Sequence, residues 1–155
     1  MTVSFIKATV MAAAAAFAMA GAIASEQRVT AKEAEALVKK GVALIKSNRD
    51  KGIHEINNNK DAWVDRELYL VVYKLDGTAV AHGTSPKMVG KNMLELRDAD
   101  GKEHIRERME TAKTKSSFWQ DYRTLNRDNK KIEPKSMYCE RADDLIVCGG
   151  IYKPA

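Results

Sequence analysis

Residues 68–73, Leu-Tyr-Leu-Val-Val-Tyr, constrain the fold more than any other stretch of the chain. Branched and aromatic side chains favour extended backbone. Both faces of this segment are substantially apolar, so it must lie inside a sheet with cover on two sides. Asp76-Gly77 follows with the backbone freedom of a tight turn, and Thr78 to His82 returns as a partner strand. The chain must therefore provide two covers. One is a long helix. Thr30 and Glu33 form a capping box, and Ala34, Leu37, Val38, Val42 and Ile45 recur at helical spacing. That helix should end between Asn48 and Gly52. A second, short helix is expected over Lys51 to Asn57, and Asn57 to Ala62 reads as a polar loop. The other cover is expected to be a set of loops around a pocket.

The rest of the chain extends the same sheet. Pro86, Gly90 and Gly101 mark a connection. Lys102 to Lys113 has a helical period, with a narrow apolar stripe of Ile105, Met109 and Ala112 and charge elsewhere. Ser116 to Leu125 reads as an aromatic strand and Asn126 to Pro134 as a hairpin loop. Lys135 to Arg141 and Leu145 to Tyr152 then close the sheet. The order predicts an α+β domain: a mostly antiparallel central sheet with helices on one side. A two-residue turn at Asp143-Asp144 would set Ala142 opposite Leu145 and Cys139 opposite Cys148. Opposed side chains in a hairpin are close enough for a disulfide.

The N-terminus reads as a targeting segment. Lys7 precedes an apolar run from Ala8 to Ala24, and Ala22-Ile23-Ala24 suits a small-residue cleavage site. Residues 1–24 are expected to be a cleaved signal peptide, and residues 25–155 a single exported, periplasmic domain. A retained membrane anchor is the alternative, although the run is near the lower length limit for a span. No later segment has the character of a membrane span. Export permits the disulfide. The chain has 155 residues and a net charge of +5, with its positive residues scattered among acids. No nucleic-acid motif is present. A modest positive field could draw in small anions, or be only a solvated surface.

Catalytic signatures are absent from the sequence. His54, His82 and His104 stand apart from one another and from any metal-ligand spacing. His54 and His104 are expected on solvated helix faces. There is no nucleophile elbow, no phosphate loop and no dinucleotide fingerprint. Gly149-Gly150 would suit either an anion nest or close packing of a strand. A binding pocket needs apolar walls and a few fixed polar groups. Tyr69, Tyr73, His82, Phe118, Trp119, Tyr122, Lys135 and Tyr138 supply those residue types. Each has a structural alternative. Phe118 or Trp119 could be core filling, Lys135 an edge-strand charge, and His82 a hydrogen-bonded residue at a strand end.

In order and spacing, the segments "YKLDGTAVAH", "MVGKN", "DADGK", the tyrosine-bearing strand before "EPKSMY" and the terminal "GGIY" resemble the single Cache domain, type 2. The resemblance spans about Thr30 to Lys153. It implies a PAS-like extracytoplasmic sheet preceded by a long helix, with short organic acids bound on the far side of the sheet. The family pocket would draw on His82, Tyr122, Lys135 and Tyr138. The cysteine pair looks like a local addition. The expected function is non-catalytic small-molecule binding of a sensor type, with no cofactor and no metal. A separate membrane receptor or transporter is the expected partner of a monomer or weak homodimer. An accessory domain with a filled pocket, or an enzyme using His82, are the alternatives.

Overall fold

The computed structural model describes residues 27–153, so the signal-peptide expectation lies outside the described residues. The chain begins with helix α1 (Ala31–Ser47), capped as expected. Thr30 Oγ1 accepts from the Glu33 N–H, and Glu33 Oε2 accepts from the Thr30 N–H at 2.7 Å. Helix α2 (Arg49–Asn58) starts at the Asn48 cap. A short α3 (Lys60–Trp63) occupies what the sequence suggested was loop, and buries Trp63.

The sheet comprises β1 (Val64–Asp65), β2 (Leu68–Lys74), β3 (Ala79–His82), β4 (Ser117–Leu125), β5 (Ile132–Ala142) and β6 (Leu145–Tyr152). All its pairings are antiparallel, in the order β1-β2-β6-β5-β4 with β3 also on β2. The doubly apolar strand β2 is therefore interior. Gly77 takes the left-handed conformation, φ 85°, in the turn to β3, and Asp76 Oδ1 accepts from the Thr78 N–H at 2.8 Å. The last hairpin has the expected register, with Ala142 opposite Leu145 and Cys139 opposite Cys148.

The two sheet faces have separate cores. On one, Val38, Val42 and Ile45 of α1 and Ile56 of α2 pack on Leu70, Val72, Leu145 and Val147. Gly41 permits this approach: a Cβ there would lie 2.7 Å from Leu70 Cδ1. The helices are not confined to this side. Helix α4 (His104–Thr114) lies on the opposite face, where Ile105, Met109 and Ala112 pack on Val71, Tyr73, Met137 and Ile146. The cause is the inward side of β2. Val71 and Tyr73 form an apolar strip that loops alone would leave wet, and the α4 stripe covers it.

Cys139 and Cys148 are bonded and fully buried within this second core. The bridge joins residues 9 apart. Restricting so short a loop in the unfolded chain is worth roughly 2–3 kcal/mol. Denaturant unfolding with and without reductant should therefore differ by about that amount. Equal stabilities would show that the bridge adds nothing to strand pairing.

Candidate functional site

The α4 side of the sheet holds two buried cations. Lys135, on β5, sits in register with Tyr122 of β4 and Tyr152 of β6. It is 1% exposed. Its Nζ lies 4.6 Å from the Tyr69 ring centre and 4.5 Å from that of Tyr152. The Tyr69 hydroxyl is its hydrogen-bond contact, at 3.5 Å. Burial pushes the Lys135 pKa down, opposed in part by Tyr69. Arg108 reaches the same face from α4 and is fully buried. Its Nε donates to Gln120 Oε1 at 2.9 Å, and Nη1 contacts the Tyr73 hydroxyl at 3.4 Å. The Tyr122 and Tyr73 rings lie 5.3 and 5.8 Å from the guanidinium carbon. Nη2 has no partner.

Among the described residues, no carboxylate lies within 4.0 Å of either cation. Glu67 on the rim acts on Lys135 only through its field. An unpaired buried charge is costly by several kcal/mol. Tyrosine faces return about 2 kcal/mol each in such a desolvated setting and offset only part of that cost, and contacts of 3.4–3.5 Å are weak hydrogen bonds. Among the described residues, the two buried charges thus have no counter-ion.

His82 stands beside them, 6% exposed and stacked on Tyr69 with ring centres 5.2 Å apart. Its Nδ1 accepts from the Ser85 N–H at 3.1 Å and, more weakly, from the Thr84 N–H at 3.4 Å. The neutral ring therefore carries its proton on Nε2. Burial, then Arg127 and Lys135, pushes its pKa down to about 4. At neutral pH His82 is an uncharged donor. His104 is not on a solvated face as expected. It is 6% exposed and stacks parallel to Tyr122 with ring centres 4.5 Å apart. Burial and then Arg108 push its pKa down to about 4. His54 is exposed, as expected.

A cleft of about 260 Å³ lies beside these groups, and Arg108, Lys135 and His82 are set behind its wall. Tyr69, Tyr122 and Tyr152 line it, with Thr84, Leu125 and Arg127 among the other residues around it. Three of the four rings that touch the two cations, Tyr69, Tyr122 and Tyr152, are thus also walls of the cleft. A polar groove of about 270 Å³ shares Arg66, Glu67, Asn126 and Asp128 with it.

Six of the eight candidate residues lie on this face: Tyr69, Tyr73, His82, Phe118, Tyr122 and Lys135. Phe118 is core. Lys135 is interior rather than an edge charge. Trp119 and Tyr138 lie on the other face, 5.2 Å apart, where Trp119 Nε1 contacts Glu35 of α1 at 3.4 Å. The sequence reading missed Arg108, Gln120, His104 and Tyr152. Arg108 had a signal. It lies three residues after Ile105 and four before Ala112, inside the apolar stripe.

Gly149-Gly150 follows the packing alternative. A Cβ on Gly150 would lie 2.7 Å from Lys135 Cε and 2.8 Å from Met137 Sδ. The missing side chain leaves room for the lysine stem. Gly150→Ala should therefore displace the Lys135 ammonium and weaken binding of an anion about tenfold, a small fraction of a buried ion contact. Titration calorimetry of the variant checks this. Unchanged affinity would separate Gly150 from the site.

An antiparallel sheet with a long helix on one face, and a tyrosine-walled cleft beside two buried cations on the other, defines a PAS-like domain. The chain belongs to the family described as Single Cache domain 2, whose pattern it matches over residues 4–152. Solved structures share the fold at low identity. A methyl-accepting chemotaxis protein from Vibrio parahaemolyticus is 23% identical with a TM-score of 0.66, over 78% of this chain and 86% of that one. A Cache chemosensory domain described for carboxylic acid recognition is 17% identical with a TM-score of 0.67, over 79% and 92%. The periplasmic sensor domain of a chemotaxis protein is 21% identical with a TM-score of 0.63, over 79% and 90%. None of the curated proteins compared with the chain matches it. Among the described residues, no three His, Cys, Asp or Glu side chains gather as metal ligands, and no helix is long and apolar enough to cross a membrane.

Proposed function

We propose that the chain is a non-catalytic sensor domain that binds a small organic carboxylate outside the cytoplasm and presents that state to a separate membrane receptor or transporter. The observation that carries this reading is the pair of buried cations, Arg108 and Lys135, with no acid beside them. A carboxylate would meet the free Nη2 of Arg108 or the Lys135 ammonium, with His82 as a neutral donor beside them. Each is a charge-assisted or polar contact in a dry setting, where such contacts are strong. The tyrosine rings would form the apolar walls. Family membership and the neighbour described for carboxylic acid recognition support the same class of ligand. His82 serves here as a ligand donor, held by backbone N–H groups rather than by a catalytic partner.

A thermal-shift screen of small carboxylates tests the proposal. A ligand at 100 times its Kd should stabilise the domain by about 2.7 kcal/mol. A second reading draws on the complete burial of both cations under tyrosines. In it the hollow is filled by the protein itself, and the domain is an accessory that binds another protein. That reading expects no stabilisation by any small acid.

A further inference from the structure

The two cations are housed separately, and the separation bears on how much negative charge the hollow can take. Arg108 comes from α4 and lies against Tyr73 and Tyr122. Lys135 comes from β5 and lies between Tyr69 and Tyr152. No tyrosine serves both. Arg108 has already committed Nε to Gln120 and Nη1 to Tyr73, and Gln120 Nε2 is itself fixed on the His104 carbonyl at 2.9 Å. One guanidinium nitrogen remains free, which suits one carboxylate oxygen rather than a two-pronged clamp. Lys135 brings three N–H donors and one weak contact at 3.5 Å.

We propose that the hollow seats a ligand with two anionic groups, a short dicarboxylate, one group against Arg108 and the other against Lys135. This deepens the carboxylate reading above and rests on it. A single carboxylate leaves one buried cation without a counter-charge, at the cost such a charge carries. A second carboxylate removes that cost. The flanking histidines add no further positive charge at neutral pH, and Arg66 and Arg127 of the cleft are matched in number by Glu67 and Asp128, so two negative charges match Arg108 and Lys135. Gly150 lies opposite Met137 in the row next to Lys135 and projects no side chain between the tyrosines.

Titration calorimetry with chain-matched acids tests the inference: malonate against propionate, and succinate against butyrate. At least one diacid should bind about tenfold tighter than its monoacid, or better. In Lys135→Met that preference should fall to about one, through weaker diacid binding, while a cooperative melt no lower than that of the parent domain shows that the variant is folded. Monoacids binding as tightly as diacids would overturn the dicarboxylate inference and leave the carboxylate reading standing. A diacid preference that survives Lys135→Met would also overturn it. Failure of every acid to bind would overturn both.

Discussion

Arg108→Met should abolish measurable carboxylate binding while leaving the domain folded. Truncating one partner of a buried, hydrogen-bonded charge pair costs roughly 2–5 kcal/mol. The affinity loss should therefore be about 30-fold or more. Stability should move the other way or not at all. Arg108 is fully buried, and its charge has no acid beside it. Replacing such a charge with an apolar chain of similar length is often neutral or stabilising. Opposite movements of affinity and melting temperature separate a binding role from a structural one. A large stability loss would mean instead that the Gln120 and Tyr73 contacts hold α4 to the sheet.

Acid should destabilise the unliganded domain sharply between about pH 6.5 and pH 4. His82 and His104 both have folded pKa values of about 4, depressed from 6.5 mainly by burial. Between these values the unfolded chain binds more protons than the folded one, so stability falls as pH falls. Each histidine should contribute a loss of roughly 2 kcal/mol by pH 5. Around His82 the charged neighbours are Arg127 and Lys135; around His104 they are Arg108, Lys102 and Asp98. Denaturant unfolding across this range measures the slope. Substituting either histidine with Gln should remove about half of it. A flat profile would place both rings in water.

The parts of the fold that were legible in the sequence are those set by local chemistry. Thr30 and Glu33 fix a helix start because each side chain satisfies the backbone N–H of the other, three residues away. Asp76-Gly77 and Asp143-Asp144 fix hairpins because few residues accept the turn geometry, and the second turn fixes the cysteine register. The side of the sheet taken by α4 was not legible. Its stripe states that the helix is covered, but not by which face of the sheet. That one ambiguity concealed both His104 and Arg108, whose polarity suggested solvent.

Strand period could have sorted the candidate residues further. Phe118 and Tyr122 are four apart and share a face, while Trp119 falls on the other. Lys135 and Tyr138 are three apart, so a continuous strand must point them to opposite faces. The hairpin register already sets Lys135 opposite Tyr152, but its contact with Tyr69 needed the three-dimensional sheet order, since β2 and β6 are neighbours far apart in sequence.

A crystal structure with the most stabilising carboxylate bound is the most direct test of the anion site. It should place carboxylate oxygen about 3 Å from Arg108 Nη2, with the tyrosine rings drawn aside from the two cations. Saturated crystals in which Arg108 and Lys135 still face only tyrosines, or in which the acid sits elsewhere, would contradict it.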